Sequence, residues 1–234
     1  MKKLSVCMVV YNEEETIRIS LRSALTVADE VIIALDDRTN DKTEQLINEL
    51  NDGRVRIIKH QFYDHFGNQR QLANDNATGD WVLFLDADEC LGDNAPEIIR
   101  EIIEKEDVDC YHFEYIHFIH DFAHIDNSEP VHIGLSRLYK KYDGIKYTRQ
   151  THALPEYEFK NINFLAGIGI FHLGYLRGIF KIRERYLRNV AISTIHPRFY
   201  IENWKYWHYF NYPTKPFGVQ FIPKIIKEEF KIEL

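Results

Sequence analysis

The segment Gly79–Glu89, GDWVLFLDADE, runs five apolar residues directly into three carboxylates. Continuous apolar runs of this length are typical of strands buried on both faces of a parallel sheet. Asp86 and Asp88 would then lie together at the strand end, where their charges repel unless a proton or cation lies between them. Hard divalent cations such as Mg²⁺ and Mn²⁺ take oxygen ligands. The segment therefore predicts a metal site at a strand end, with solvated loop acids before a helix as the alternative.

The rest of the first half alternates between strand and helix patterns. The predicted strands are 4–11, 30–37, 54–62 and 81–88, and the predicted helices are 13–28, 41–50, 68–77 and 94–105. Apolar residues at helical spacing and the Pro96 helix start support the helices. Strands that alternate with helices predict right-handed crossovers and a mostly parallel, doubly wound α/β sheet.

The second half changes character. Strand patterns occur at 109–120, 135–142, 144–154 and 167–175 without regular helices between them, and helical patterns follow at 180–195 and 200–210. We expect mixed or antiparallel strands that extend the sheet and cover one side of the site. With no repeat or clear linker, we expect one domain over 1–234, with a first half at 1–105, a second at 106–178 and a helical extension at 179–234.

Composition narrows the function classes. The net charge of −7 argues against a general nucleic-acid binder, because phosphate contacts need clustered lysine and arginine. Cys7, Cys90 and Cys110 lack zinc-like spacing, and Cys7 in its apolar run is expected to be a buried free thiol, as in a reducing compartment. The N-terminal apolar run is too short for a signal peptide, and no stretch has the length of a membrane span. We therefore expect a cytoplasmic protein.

Polar residues follow three strands of the predicted sheet. Tyr11, Asn12 and Glu13 follow the first strand, residues 36–41 follow the second, and residues 86–89 follow the fourth. Ligands of open parallel sheets bind beyond these carboxyl ends. Each loop by itself could be a plain turn or helix cap, but three on one sheet edge indicate a ligand site.

At this point the sequence resembles a known family. SVCMVVYNEEE (5–15), DEVIIALDDRTNDKTEQLI (29–47) and QRQLANDNATGDWVLFLDADE (69–89) resemble the family 2 glycosyltransferases with the GT-A fold, in order and spacing over about 4–105. SRLYKK (136–141), KYTRQTHALPE (146–156) and IFHLGY (170–175) resemble a subgroup that includes the lipopolysaccharide core β-glucosyltransferases.

The resemblance implies roles for residues of the site. The nucleotide of a nucleotide sugar, in this family commonly UDP, would contact Val9, Tyr11, Glu13, Asp36, Asp37, Gln69, Arg70 and Asp86, with Asp37 on the uracil edge. A Mn²⁺ or Mg²⁺ ion would be held by Asp86 and Asp88, with His172 reaching the metal or the diphosphate. The implied reaction is an inverting transfer in glycan or polysaccharide synthesis, to a hydroxyl of a glycan, lipid-linked or protein acceptor.

Two positions depart from the family pattern. Arg38 and Thr39 stand where Gly-Ser is usual, so a backbone approach is lost or Arg38 adds a phosphate contact. Ala153 follows His152 where the subgroup has His-Glu, so the expected carboxylate base is missing. His152 or Glu156 could accept the proton instead, and further candidates are Asp126 and Glu129. For His152 and Glu156 the alternatives are a structural histidine and a loop acid.

Two other readings of the function remain open. A nucleotidyltransferase also uses a nucleotide-binding sheet and Mg²⁺, but it usually carries a glycine-rich basic loop where residues 12–15 read NEEE. A degenerate relative could bind a glycan or nucleotide without turnover, which the absent carboxylate supports and the intact Asp86 and Asp88 oppose.

Two residue clusters have their own interpretations. The aromatic residues between 204 and 212, with Lys181, Arg183, Arg185 and Arg188 nearby, could rest on a membrane surface, although packing against the sheet is the favoured alternative. The histidines at 112, 117, 120 and 124 lack cysteine partners, so we expect no zinc site there.

Overall fold

The computed structural model describes residues 1–127, 135–150, 153–177 and 213–233, together with Lys181, Ile182, Glu184, Leu187, Arg188 and Ala191. The strands are β1 (Leu4–Val10), β2 (Glu30–Asp36), β3 (Val55–His60), β4 (Trp81–Phe84), β5 (Glu89–Leu91), β6 (Cys110–Ile119), β7 (Asp121–Asp126), β8 (Ser136–Lys140), β9 (Ile162–His172) and β10 (Thr214–Pro216). The helices with bounds in these ranges are α1 (Ile17–Leu25), α2 (Thr43–Glu49), α3 (Phe66–Asn76), α4 (Ala95–Ile102) and α5 (Lys224–Phe230).

Strands from both halves of the chain join one mixed sheet. Within the described ranges its order is β10-β7-β6-β8-β4-β1-β2-β3. The neighbours β4, β1, β2 and β3 are parallel, whereas β8 is antiparallel to both β4 and β6. Strand β9 runs parallel to β6 and antiparallel to β5. The predicted α/β class with a mostly parallel sheet is confirmed.

The continuous apolar runs are explained by burial on both faces of the sheet. In β1, Val6 and Met8 contribute to a core cluster with Ile17 and Leu21 of α1, and all four are fully buried. The intervening Cys7 points to the opposite face, toward the α3 side of the sheet. Since successive side chains of a strand alternate between faces, packing on both sides of the sheet favours apolar residues at consecutive positions.

The structure corrects two details of the sequence-based prediction and leaves a third untested. The strand expected at 144–154 is wrong within the described residues, where Lys146 forms only an isolated bridge with Glu156. The strand expected at 81–88 ends at Phe84, because the carboxylates after it enter a turn. The helical pattern at 200–210 lies outside the described residues.

Burial of the cysteines agrees with the sequence. The thiols of Cys7, Cys90 and Cys110 are free and buried, as predicted for Cys7. Burial raises the pKa of the Cys90 thiol to about 12, so this thiol is protonated and unreactive at neutral pH. Among the described helices, none combines the length and apolar character needed to cross a bilayer.

Candidate active site

The loops after β1 and β2 are tied together by their own side chains. Asn12 has a left-handed backbone (φ 51°), and its Oδ1 accepts a hydrogen bond from the Asn40 backbone N–H at 2.9 Å. The Glu13 backbone N–H donates to Thr43 Oγ1 at 2.6 Å, and the Glu13 carboxylate accepts from Thr16 Oγ1 at 3.0 Å. These bonds hold the Glu13 carboxylate at the carboxyl end of β1.

A narrow cleft, here called the base cleft, opens between β1, β2 and α3. Its walls are Val9, Val10, Tyr11, Glu13, Asp36, Phe62, Phe66, Gln69 and Arg188. The rings of Phe62 and Phe66 meet edge to face at 4.6 Å between centroids. Aromatic walls with a buried amide and a carboxylate can stack a planar base and bond its polar edge.

The two aspartates after β2 have different surroundings. Asp36 is buried in the base cleft, whereas Asp37 is exposed and does not line the cleft. Arg38, at the position where the family usually has glycine, binds the Asp36 carboxylate with both Nε and Nη2, at 3.1 and 2.8 Å. The structure thus shows Arg38 in a bidentate ion pair with Asp36.

The carboxylates after β4 are held by a tight turn. The Asp86 backbone N–H donates to Glu89 Oε2 at 2.8 Å, and the Glu89 backbone N–H donates to the Asp86 carbonyl at 3.0 Å. Two serines of helix α1 anchor this turn. Ser20 Oγ donates to the Ala87 carbonyl and Ser23 Oγ accepts from the Leu91 backbone N–H, both at 2.8 Å. Asp86 and Asp88 are thereby presented on a rigid support.

Two arginines neutralise the first of these carboxylates. Arg70 Nη2 lies 2.7 and 2.8 Å from the two carboxylate oxygens of Asp86, and Arg137 Nη1 lies 3.3 Å from Oδ2. Burial opposes ionisation, but Arg70 and Arg137 outweigh it and hold the pKa of Asp86 below its usual range. Burial, opposed by Arg137, raises the pKa of Glu89 to about 8.

Asp88 and His172 meet where β5 pairs with β9. The register of these strands sets Glu89 opposite His172, and Asp88 precedes Glu89. His172 Nε2 lies 3.3 Å from Asp88 Oδ2, and both residues are about 95% buried (5% and 4% exposed). Arg177 contacts the carboxylates of both Glu13 and Asp88.

These two residues fit a divalent cation with open coordination positions. Within the described ranges, no three His, Cys, Asp or Glu side chains form a complete protein cage for a metal. Asp88 and His172 supply one carboxylate oxygen and one imidazole nitrogen side by side. Mg²⁺ and Mn²⁺ sites of this kind take their remaining ligands from water and substrate phosphates.

Two pockets flank this pair. An outer pocket of about 540 Å³ is lined by Tyr11, Asn12, Glu13, Glu14, Asn40, Asp41, Arg177, Lys181, Glu184 and Arg188. An inner pocket of about 280 Å³ is lined by Arg70, Asp86, Glu89, Tyr115, His117, Leu135, Arg137, Arg149, Ala153, Leu154, His172 and Tyr175. Polar groups predominate in the outer lining, whereas the inner pocket combines a larger apolar surface with the charged side chains of Arg70, Asp86 and Arg137, as expected of a ligand site.

The structure brings together most of the residues singled out from the sequence. Val9, Tyr11, Glu13, Asp36 and Gln69 line the base cleft, and Arg70, Asp86 and His172 line the inner pocket. Glu156 is exposed and lines neither pocket, and its Oε1 accepts from Thr148 Oγ1 at 2.5 Å. Asp126 pairs with Thr214 at the far edge of the sheet. His152 and Glu129 lie outside the described residues.

Sequence reasoning did not assign four residues to the site, and it considered His117 only for a zinc site that it rejected. Arg137, Tyr115, His117 and Arg177 contact the predicted carboxylates or line the pockets beside them. Arg137 lay inside the quoted SRLYKK motif, so the motif carried a signal for it. The other three lie in ordinary strand or loop patterns, and only strand pairing brings them to the site.

Comparison with known proteins identifies the class to which this fold and site belong. The sequence profile of glycosyl transferase family 2 matches residues 5–181. The chain therefore belongs to glycosyl transferase family 2, as its motifs indicated, and its fold is GT-A.

Similar proteins agree with this assignment. The prophage-derived glycosyltransferase SunS of Bacillus subtilis is 24% identical over 208 residues, 87% of this chain and 47% of that protein. The Escherichia coli β-1,3-glucosyltransferase WfaP, named for UDP-Glc and GlcNAc-diphosphoundecaprenol, is 33% identical over 91 residues, 38% of this chain and 36% of that protein. The chain spans about half the length of these relatives, or less.

Solved structures share the fold. The crystal structure of TarS 1–349 from S. aureus in complex with UDP-GlcNAc superposes with a TM-score of 0.56 and 14% identity. The match covers 86% of this chain and 70% of that one. At this identity the likeness establishes the common fold.

Proposed function

We propose that this protein is a metal-dependent, inverting glycosyltransferase that moves a sugar from a UDP-sugar to an acceptor hydroxyl in glycan synthesis. The observation that carries the proposal is the convergence at Asp88 of two residues: His172, which lines the inner pocket, and Arg177, which lines the outer pocket. A nucleotide in the cleft would direct its diphosphate toward Asp88 and His172. The UDP-GlcNAc complex of TarS and the UDP-Glc named for WfaP favour UDP as the nucleotide.

The positions of the residues suggest a separate role for each part of the site. Asp36 and Gln69 would bond the base between the aromatic walls, with Asp37 the alternative on the uracil edge. Asp88 and His172 would hold Mn²⁺ or Mg²⁺, which when bound neutralises charge on a leaving diphosphate. Asp86, which the resemblance also implied as a metal ligand, would instead bond the ribose or the sugar, because Arg70 and Arg137 hold its carboxylate oxygens and its lowered pKa keeps it an acceptor.

Two residues are candidates for the base that accepts the proton of the acceptor hydroxyl, His152 and Glu156. We favour His152 over Glu156, because Ala153 and Leu154, which follow His152 directly, line the inner pocket, whereas Glu156 lies exposed outside it. An imidazole with an ordinary pKa near 6.5 can accept a hydroxyl proton at neutral pH. The acceptor class remains glycan, lipid-linked or protein, and the acceptor entry would be the inner pocket.

The decisive test is the variant Asp88→Asn, which keeps the side-chain size and removes the charge. Release of UDP from a panel of UDP-sugars with Mn²⁺ should fall at least about a hundredfold, as when a group that stabilises transition-state charge is removed. Asp75→Asn is the matched control, because Asp75 is exposed on α3 and bonded only to Gln71 among the contacts described for it.

The outcomes separate the parts of the proposal. Equal turnover by Asp88→Asn and the wild type would exclude the metal role of Asp88. Loss of turnover in His152→Ala with UDP-sugar affinity retained supports His152 as the base, and the same result in Glu156→Gln alone would transfer that role. Absence of any Mn²⁺-stimulated UDP release across the panel would contradict the proposed activity.

A further inference from the structure

The two imidazoles of His117 and His172 face one another inside the inner pocket. Their Nδ1 atoms lie 3.0 Å apart, and their ring centroids lie 4.9 Å apart with the planes nearly perpendicular. The register of the parallel pair β6 and β9 sets His117 directly opposite His172. Strand pairing therefore fixes the contact.

The contact constrains where the protons lie. When both rings are neutral, one Nδ1 must donate and the other must accept for a hydrogen bond to form at this distance. His172 Nε2 faces Asp88 Oδ2 at 3.3 Å, on the side where the metal is proposed to bind. A metal ligand needs an unprotonated nitrogen, so the His172 proton must then lie on Nδ1, and His117 Nδ1 must be the acceptor.

The rings around His117 hold it in this orientation. Its centroid lies 4.8 Å from that of Tyr115 and 5.6 Å from that of Tyr175. The Tyr115 hydroxyl in turn accepts from Arg137 Nη2 at 2.8 Å, which links this ring to the buried turn after β4. His117 is thus positioned by neighbours that belong to the same site.

We propose that His117 is a positioning residue for the metal: its Nδ1 accepts a hydrogen bond from His172 Nδ1–H, which selects the His172 tautomer with an unprotonated Nε2 and orients that nitrogen beside Asp88. This inference rests on the metal site of the proposed function. His117 itself does not bind the metal, and its effect reaches the cation through His172. Outer partners of metal-bound histidines commonly change metal affinity by about 10–100-fold when removed.

The test compares Mn²⁺ affinity among variants in the presence of UDP, measured by the electron paramagnetic resonance signal of free Mn²⁺. His117→Phe keeps a ring between Tyr115 and Tyr175 but removes the acceptor, so the dissociation constant should rise about tenfold or more. His117→Gln retains an acceptor oxygen and should restore part of the affinity. UDP affinity without metal and the unfolding midpoint should change little in both variants.

The matched control is His112→Phe on the same strand. His112 Nε2 lies 3.1 Å from Ser136 Oγ, and the residue does not line the inner pocket. Its Mn²⁺ affinity should equal that of the wild type. A His117→Phe variant that also binds Mn²⁺ within twofold of the wild type would overturn the inference while leaving the proposed function intact.

A second measurement does not depend on how the variants fold. Histidine-selective ¹⁵N NMR of the wild type with diamagnetic Mg²⁺ and UDP should show His172 as the Nδ1–H tautomer and His117 as the Nε2–H tautomer. The reverse assignment would overturn the inference. A wild type that binds no divalent cation with UDP would instead overturn the proposed metal site, and the inference with it.

Discussion

At the scale of single residues, Arg137 connects the acidic turn to the sheet. Its Nη2 lies 2.9 Å from Glu89 Oε1 and 2.8 Å from the Tyr115 hydroxyl, and its Nη1 reaches Asp86. The Arg137 and Glu89 side chains are 6% and 1% exposed. Since the pKa of Glu89 is raised to about 8, the contact at neutral pH is mainly a hydrogen bond from the Arg137 guanidinium to Glu89, and removal of either partner leaves the other buried and unsatisfied.

We predict that Arg137→Met lowers the free energy of unfolding by about 3–5 kcal/mol, because it leaves the buried Glu89 side chain and the Tyr115 hydroxyl without their donor and removes one of the two arginines beside Asp86. Urea unfolding at neutral pH measures the change. Arg18→Met is the control, since the Arg18–Glu49 pair is 42% and 46% exposed and should contribute at most about 1 kcal/mol. If both variants lost similar free energy of unfolding, the buried Arg137 contacts would contribute no more to stability than an exposed ion pair.

At the scale of elements, helix α3 positions two residues of the site through its first turn. His65 caps the helix by accepting from the Asn68 backbone N–H at 3.2 Å. Gly67 packs so closely on the segment after β8 that a Cβ there would collide with the carbonyl oxygens of Tyr147 and Arg149. This close approach fixes the position of the start of α3, and with it the positions of Gln69 and Arg70.

We therefore expect Gly67→Ala to displace the start of α3 and to destabilise the fold by about 1–3 kcal/mol. UDP affinity, measured by calorimetry, should weaken as well, because the displaced helix carries Gln69. Gly53→Ala serves as the control, since a Cβ at Gly53 meets no atom within 4 Å and the change should stay within about 0.5 kcal/mol. Unchanged UDP affinity in Gly67→Ala would show that nucleotide binding does not depend on the position of the start of α3.

At the scale of the whole molecule, the C-terminal helix α5 packs against the N-terminal helix α1 and completes one of the buried apolar clusters. Ile226 of α5 is fully buried in a cluster with Ile19 of α1 and Phe118 of β6. Arg22 on α1 reaches Glu228 at 3.1 Å on the surface above it. Residues some 200 positions apart thus share one apolar cluster, so the stability of α1 depends on the C-terminal segment.

Ile226→Ala should lower the free energy of unfolding by about 2–5 kcal/mol, since it removes buried methyl groups and leaves a cavity between α1 and α5. Denaturant unfolding followed by fluorescence measures this change. Phe221→Ala is the comparison, because Phe221 is 64% exposed and its truncation should stay within about 0.5 kcal/mol. Equal effects would indicate that α5 adds nothing to the core.

The limits of sequence-based prediction follow from the range of the interactions involved. The apolar runs of β1, β2 and β4 and the helical spacing between them are local patterns, so they alone predicted the α/β sheet. The polar strand ends predicted a site there, because parallel strands bring their carboxyl ends to one edge. The segment 144–154 misled because its alternation resembles a strand, whereas its described part forms an isolated bridge from Lys146 to Glu156 and no strand ladder.

The sequence alone determined the class of fold and the edge of the sheet at which the carboxylates of the candidate site lie, because strand and helix periods and the order of elements are local patterns. Only the tertiary structure decided that His172 faces Asp88, that His117 lies behind His172 and that Arg137 supports the acidic turn. The physical reason is strand register: hydrogen bonding of β9 to both β5 and β6 sets residues 55 and more positions apart side by side, and no local pattern encodes that pairing.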